Sequence, residues 1–317
     1  MSLRPTDVGH RVVVRRILGE ENDGRREFGD LLGELIELDP DRQRVVVRTA
    51  AGDVAVAVAD VVAAKRVPPK PVPRIDALEL ERIAALGWRG LDTATLGGWQ
   101  LRAAGGWTGR ANSVLPLGDP GVPLDTALDT VRAWYAERGL EPTIQLPLPA
   151  RDDLREQLED RGWTDRWGAL VLVASVPALR AARLAVPGLP PVTVDDDPDA
   201  AWLAGYQYRG RPIPDVAVEV LRTADAPGFA SVRENGVPLA ICRTVLDEGW
   251  LGITAVEVDP AHRRRGLATH LLAGVLDRTD ARAVYLQVDP GNTIAVALYR
   301  KLGFRQHHTY RYYRPTV

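Results

Sequence analysis

Residues 254–272, which run Thr-Ala-Val-Glu-Val-Asp-Pro-Ala-His-Arg-Arg-Arg-Gly-Leu-Ala-Thr-His-Leu-Leu, constrain the fold of this chain more than any other stretch. An alternating strand ends at Val258, Asp259-Pro260 breaks it, three arginines follow, and a helix opens at Gly266-Leu267-Ala268. A strand that feeds a helix through a glycine is an anion site by construction. The first amides of a helix have no partner in the turn before them and carry partial positive charge. Gly266 and Ala268 let a phosphate approach the main chain, Leu267 and Thr269 complete the first turn, and Arg263, Arg264 and Arg265 add fixed charge.

The 317 residues suffice for two or three domains with cores of their own. Forty Lys and Arg stand against 42 Asp and Glu, so no overall basic field argues for nucleic acid. The single Cys242 lies in an apolar strand pattern and forms no internal disulfide, which gives it a packing role. Residues 1–20 hold no apolar signal core, and no run approaches the ~18 apolar residues of a membrane span. A cytoplasmic protein without a membrane partner is the expectation.

Along the chain, residues 1–67 read as a small all-β barrel, SH3-like in pattern, with strands at 11–14, 33–38, 45–48 and 54–58. Residues 1–66 hold eleven basic and twelve acidic side chains, which suits packing or docking better than a phosphate backbone. The prolines of 68–75 predict a stiff linker. Residues 76–180 then read as helix 75–86, strands 98–104 and 112–117, helix 124–138, strand 143–146, helix 154–160 and strand 169–174. Residues 188–317 repeat that logic: strand 192–194, helices 198–206 and 214–223, a hairpin turning at Asn235-Gly236, the strand to Val258, the helix from Gly266, strand 283–288, helix 293–302 and strand 308–313. The ends of the two stretches overlay: Thr143-Ile-Gln-Leu-Pro with Leu158-x-x-x-Gly162, and Tyr285-Leu-Gln-Val-Asp with Tyr299-x-x-x-Gly303.

Val-x-Val-Asp-Pro followed by Arg-x-x-Gly-x-Ala closely resembles the pyrophosphate loop of the GNAT N-acetyltransferase superfamily. The resemblance implies an α/β protein of the α+β GNAT kind: two tandem GNAT-like halves with mixed sheet behind the small barrel, the first degenerate and the second binding acetyl-CoA. The layout resembles a bacterial group described as N-acetylglutamate synthase-like or histone-acetyltransferase-like. By that likeness the strand edge at Val256 and Val258 pairs with the cofactor's amides, and the Val258 N–H polarises the acetyl carbonyl. Asn292 lies near the pantetheine arm, and Tyr299, two helical turns on, is the general acid. Relatives that acetylate ribosomal-protein alanine carry a glutamate where this chain has Gln287, so that base does not transfer. Glu257 is the nearest carboxylate, and the readings of it as general base and as strand-face ion pair stay open. Tyr208, Arg209 and Arg211, in the segment where such enzymes frame the acceptor, could hold a substrate carboxylate.

The acceptor is then a small amino acid such as glutamate, or a protein lysine or N-terminus. The competing reading is a non-catalytic acyl-CoA sensor. In the first half, Gly118-Asp119-Pro120-Gly121-Val122-Pro123 stands where the phosphate loop would be. Its acid and prolines predict that it binds no CoA. Gly105-Gly-Trp-Thr-Gly-Arg110 reads as a turn near the acceptor cleft. His270 reads as a helix-surface residue. His307 and His308 read as pointing to opposite faces of a strand, so no metal is expected.

Overall fold

The computed structural model describes residues 3–20, 26–39, 43–49, 51–67, 74–182, 184–208 and 211–316. Residues 68–73 of the expected linker and Arg209 lie outside them, as do the side chains of Tyr208 and Arg211. Contacts divide the chain into two compact units, one of residues 1–71 with 174–184, the other of 72–173 with 185–317.

The first unit is the expected small all-β domain. Strands β1 (Arg11–Glu20), β2 (Arg26–Asp39), β3 (Arg44–Thr49), β4 (Gly52–Ala57) and β5 (Val61–Arg66) form one antiparallel sheet in the order β4-β3-β2-β1-β5. Its core takes the alternate residues Val12 and Val14, Leu35, Val45 and Val47, and Ala64. Strand β5 was not separable in the sequence, because the apolar run 54–64 is almost unbroken. A short 3-10 turn at Val58–Asp60 divides it.

The second unit contains α1 (Arg74–Gly87), β6 (Asp92–Leu96), β7 (Trp99–Ala103), β8 (Leu115–Pro116), α2 (Leu124–Ala136), β9 (Ile144–Leu148), α3 (Asp152–Glu159) and β10 (Trp163–Ser175). After α4 (Val176–Ala181), which falls with the first unit, come β11 (Val192–Asp195), α5 (Ala200–Gly205), the short pair β12 (Gln207–Tyr208) and β13 (Arg211–Pro212), and α6 (Asp215–Leu221). The chain ends with β14 (Gly228–Glu234), β15 (Val237–Asp247), β16 (Trp250–Val258), α7 (Leu267–Leu276), β17 (Ala283–Val288), α8 (Thr293–Leu302) and β18 (Arg305–Pro315). No described helix is long and apolar enough to cross a membrane.

The internal repeat has a structural counterpart. The series β9-α3-β10 and β17-α8-β18 share their element order, and each helix is followed by a left-handed glycine, Gly162 at φ 76° and Gly303 at φ 102°. Both series lie in one eight-stranded sheet of order β11-β14-β15-β16-β17-β10-β18-β9. Each half therefore lends its last strand to the other, and neither closes a sheet alone. Leu158, at the position matching Tyr299, is fully buried in the first half's core beside Val131, Tyr135 and Trp163.

A chain of buried polar groups crosses this exchange. The guanidinium of Arg102 donates to the Ser113 carbonyl, to Ser113 Oγ and to Gln145 Oε1 at 2.9–3.0 Å. Gln145 Nε2 donates to Glu81 at 2.6 Å, and the other Glu81 oxygen meets His308 Nε2 at 2.8 Å. The two histidines do not diverge as alternation predicts: their Nδ1 atoms are 2.8 Å apart. The register of β10 against β18 slips between Val171/His308 and Leu172/Gln306, and the extra residue, His307, swings both rings to one side. Burial and the neighbouring His308 push the His307 imidazole down to about 4.

Candidate active site

The parallel pairing of β16 with β17 stops at Ile253–Leu286, and beyond it the two strands splay. On the other side of β16, one extra residue enters the ladder with β15: Ile241 faces Glu257, but Arg243 faces Thr254. Ala255 takes φ 52°, rare for a side-chain-bearing residue, to absorb it. The Asp259 N–H bonds the Leu239 carbonyl at 3.0 Å, next to the Ala240–Val258 pair. Antiparallel alternation then turns the amides of Val258 and Val256 away from β15, toward the splay. A cleft of about 1070 Å³ opens there, with Glu257, Arg263, Gln287, Asn292 and Tyr299 among its walls.

The loop leaving β16 behaves as its sequence suggests. Asp259 caps the short turn Pro260–His262 by accepting from the Ala261 N–H at 2.7 Å, and Arg263 Nε reaches back to the Val258 carbonyl at 3.3 Å. Arg264 and Gly266 both take left-handed conformations, at φ 64° and 82°, and Gly266 is the N-cap of α7. The left-handed φ favours glycine at Gly266, and a Cβ there would also sit a tight 3.0 Å from a Val186 methyl. Arg263, Arg264 and Arg265 are exposed. His270 is not a plain surface residue: Nδ1 accepts from the Val186 N–H at 3.2 Å and Nε2 lies 2.9 Å from the Pro190 carbonyl, tying 186–190 to α7. A left-handed glycine, a helix start without a side-chain cap and adjacent exposed guanidiniums fit a pyrophosphate.

Asn292 caps α8, its Oδ1 accepting from the Ala295 N–H at 3.1 Å, so its carbonyl is committed to the helix while the residue lines the cleft. Tyr299 packs edge-on against Phe304 at 5.5 Å. Burial first, then the electrostatics of neighbouring Cys242 and Glu257, hold its phenol well above the usual range, so it stays protonated. Glu257 is half-buried, and burial raises its carboxyl, with Arg263 opposing. Cys242 is fully buried and its thiol is pushed up to about 12, in keeping with packing.

The glycine-rich turn of the first half does reach the cleft. Asn112 staples it, accepting from the Ala104 and Gly106 amides and donating to the Trp107 and Thr108 carbonyls at 2.7–2.8 Å. Thr108, Gly109 and Arg110 thus line the cleft, and Arg110 donates to Gln287 Oε1. Gln287 is a partner for an arginine rather than a base. The sequence placed the turn ending at Arg110 near the cleft and opened its key stretch at Thr254 without giving either side chain a role, and Trp88 and Arg243 it did not single out. Arg243 had left a trace, a charge inside the apolar run Leu239-Ala-Ile-Cys-Arg-Thr-Val. In the first half, by contrast, the Gly98 N–H bonds the Asp119 carbonyl and the Gly118 N–H bonds the Gly98 carbonyl, at 2.6 and 3.0 Å, closing that loop on a turn. Among the described residues no cluster of His, Cys, Asp and Glu could hold a metal.

Comparison with known proteins agrees with this geometry. Residues 75–313 match the family described as "Probable histone acetyltransferase Rv0428c C-terminal", and residues 6–65 match the "Rv0428c N-terminal Sm-like domain". The chain is 30% identical over 297 residues to the "Probable histone acetyltransferase Rv0428c" of Mycobacterium tuberculosis, covering 89% of this chain and 88% of the relative. A shorter stretch of 77 residues is 40% identical to a [Ribosomal protein bS18]-alanine N-acetyltransferase of Haemophilus ducreyi, 23% of this chain and 52% of that protein. A GCN5-related N-acetyltransferase from Kribbella flavida superposes with TM-score 0.54 at 21% identity, covering 76% of this chain and 96% of that one. The chain belongs to the Rv0428c family, an acyltransferase of GNAT fold behind a small all-β domain.

Proposed function

We propose that this protein transfers the acetyl group of acetyl-CoA to a primary amine by direct attack, in the cleft between β16 and β17. The observation that carries the reading is the strand edge at Val258, which turns its amide into the splay and leads directly into the left-handed Gly266 loop. Bound acetyl-CoA would supply an activated thioester. The chain's own groups do the rest. The Val258 N–H is placed as a donor to a carbonyl oxygen gaining charge, a role worth most in a water-poor site. Glu257, its carboxyl raised by burial, accepts the proton of the incoming ammonium. The protonated Tyr299, electrostatically coupled to Glu257, holds the proton a departing thiolate needs.

The test is thiol release from acetyl-CoA across amino acids, polyamines and lysine peptides. Acceptor-dependent release is expected, with an ascending limb of kcat/KM displaced upward from the usual carboxylate range because Glu257 is active only when ionised. Glu257→Gln should lower kcat/KM by roughly 10²-fold or more and remove that limb while CoA affinity stays. Tight CoA binding without acceptor-dependent release from any amine would instead make the protein an acyl-CoA sensor.

A further inference from the structure

The floor of the same cleft, with the sheet beside it, carries polar atoms that no protein group satisfies. Arg243 stands opposite Thr254 in the β15–β16 register, and Thr254 and Gln287 each follow the last parallel pair, Ile253–Leu286. All three lie on the sheet face where the Tyr285 ring crowds Gly252. Above this face sits Trp88, with the guanidinium of Arg110 4.5 Å and that of Arg243 5.1 Å from its ring. Trp88 Nε1 is fixed by Thr108 Oγ1 at 2.9 Å, so the ring is held in place beside both guanidiniums.

Three buried polar atoms on this floor have no hydrogen-bond partner: Arg243 Nη2, Thr254 Oγ1 and Gln287 Nε2. All three can donate. Arg243 is almost wholly buried and bonds only neutral groups, the Gly87 and Leu221 carbonyls at 2.8 and 2.7 Å. Arg110 donates to the neutral Gln287 Oε1, which turns the Gln287 amide so that Nε2 is the atom left over. Burial and the charge of Arg110 push Arg243 down to about 10, while Asp247, whose field opposes that shift, is itself raised by burial. A buried positive charge bonded only to neutral groups, with three spare donors around it, describes a site missing an anion.

The geometry points to a carboxylate subsite formed by Arg243, Thr254 and Gln287 beside Arg110, so that the acceptor amine carries its own carboxylate, as a free amino acid does. The inference rests on the acyl-transfer reading. Thr254 lies three residues before Glu257 on β16, and the bulge at Ala255 keeps both on the face that Ile241 and Arg243 share on β15. An amine held at Glu257 would thus place a carboxylate on the neighbouring donors. A side chain in an extended lysine peptide brings no such anion.

The test pairs free amino acids (glycine, alanine, glutamate, lysine) with their carboxamides, alongside phosphoethanolamine and a lysine peptide. Thiol release from acetyl-CoA is measured, and binding to the CoA-loaded protein is followed by calorimetry. At least one acid should exceed its carboxamide in kcat/KM by about tenfold or more, since buried donors built for an oxyanion reject the analogue lacking it. Thr254→Val and Gln287→Leu should each shrink that ratio while CoA affinity holds, and Thr254→Ser should restore it. Equal turnover of acid and carboxamide, or turnover of the lysine peptide alone, would overturn the subsite. Preference for phosphoethanolamine would reassign it to a phosphoryl group and overturn it equally. If no acceptor releases thiol, the acyl-transfer reading fails by itself. Calorimetry then decides: acid-selective binding weakened by Thr254→Val supports the subsite, and its lack removes it.

Discussion

The two halves of the large unit use their polar groups in opposite ways. In the first, the strand-to-helix loop before α2 spends its amides on a turn, and Arg102, Gln145 and Glu81 satisfy one another in the core. In the second, the loop before α7 leaves its first amides and three arginines facing outward, and Thr254 and Gln287 in the cleft wall, with the buried Arg243 behind them, keep unpartnered atoms. Element order alone would not separate them. The difference at these groups is one of satisfaction: the first set answers itself and holds the fold together, and the second stands open at the cleft.

The sharpest way to test the first part of that contrast is Glu81. Glu81→Ala strips the acceptor from both Gln145 and His308 and removes the carboxylate whose field supports the buried Arg102 charge. Breaking a buried charged network by one member costs about 3–5 kcal/mol. Thermal melting should show a fall on the order of 10 °C. CoA affinity of the folded fraction should be unchanged, and a large loss of affinity without loss of Tm would break the division between the halves.

Gly266 tests the other side. Gly266→Val forces a β-branched residue to φ 82° and drives its Cβ against Val186. The left-handed cost of about 1–2 kcal/mol falls on the loop proposed to hold the ligand, so CoA affinity by calorimetry should drop about tenfold or more. Unchanged affinity would remove this loop from the binding site.

The buried chain also predicts a pH effect. His307 binds a proton near pH 6.5 when unfolded but only near 4 when folded. Between those values the unfolded state holds more protons, so stability falls as pH drops through that window. His307→Gln should flatten that part of the Tm profile and leave CoA binding alone; an unaltered slope would place the titration elsewhere.

How much of this was legible depended on whether local signals sufficed. Strand β17 and helix α8 fall where the sequence placed them, because Asn292 and Gly303 punctuate the helix at both ends. The Asn235-Gly236 turn takes the two positive φ angles its sequence asks for, 51° and 83°. The turn from β16 into α7 was legible for the same reason. What alternation could not reveal were the single-residue slips at Ala255 and His307, which decide the face of every residue beyond them. Nor could it reveal pairings far apart in sequence, such as Arg110 with Gln287, or the exchange of β10 and β18 across one sheet. Those depend on how two halves close on each other, and no local window contains both.

The smallest effect is the most discriminating for the degenerate loop. Gly121 sits at φ 76° in the first half, much as Gly266 does in the second, but a Cβ there would meet only the Gly97 Cα, at 3.9 Å. Gly121→Ala therefore carries the left-handed penalty of about 1 kcal/mol without a clash, and Tm should fall by about 2–4 °C. Because the neighbouring amides already bond the Gly97-Gly98 turn and the Asp119 side chain, no ligand affinity is at stake. CoA affinity should match the unmodified protein within error. A loss comparable to that of Gly266→Val would mean that the first loop also contacts the cofactor, and the contrast between satisfied and waiting polar groups would then fail at the place where the two halves look most alike.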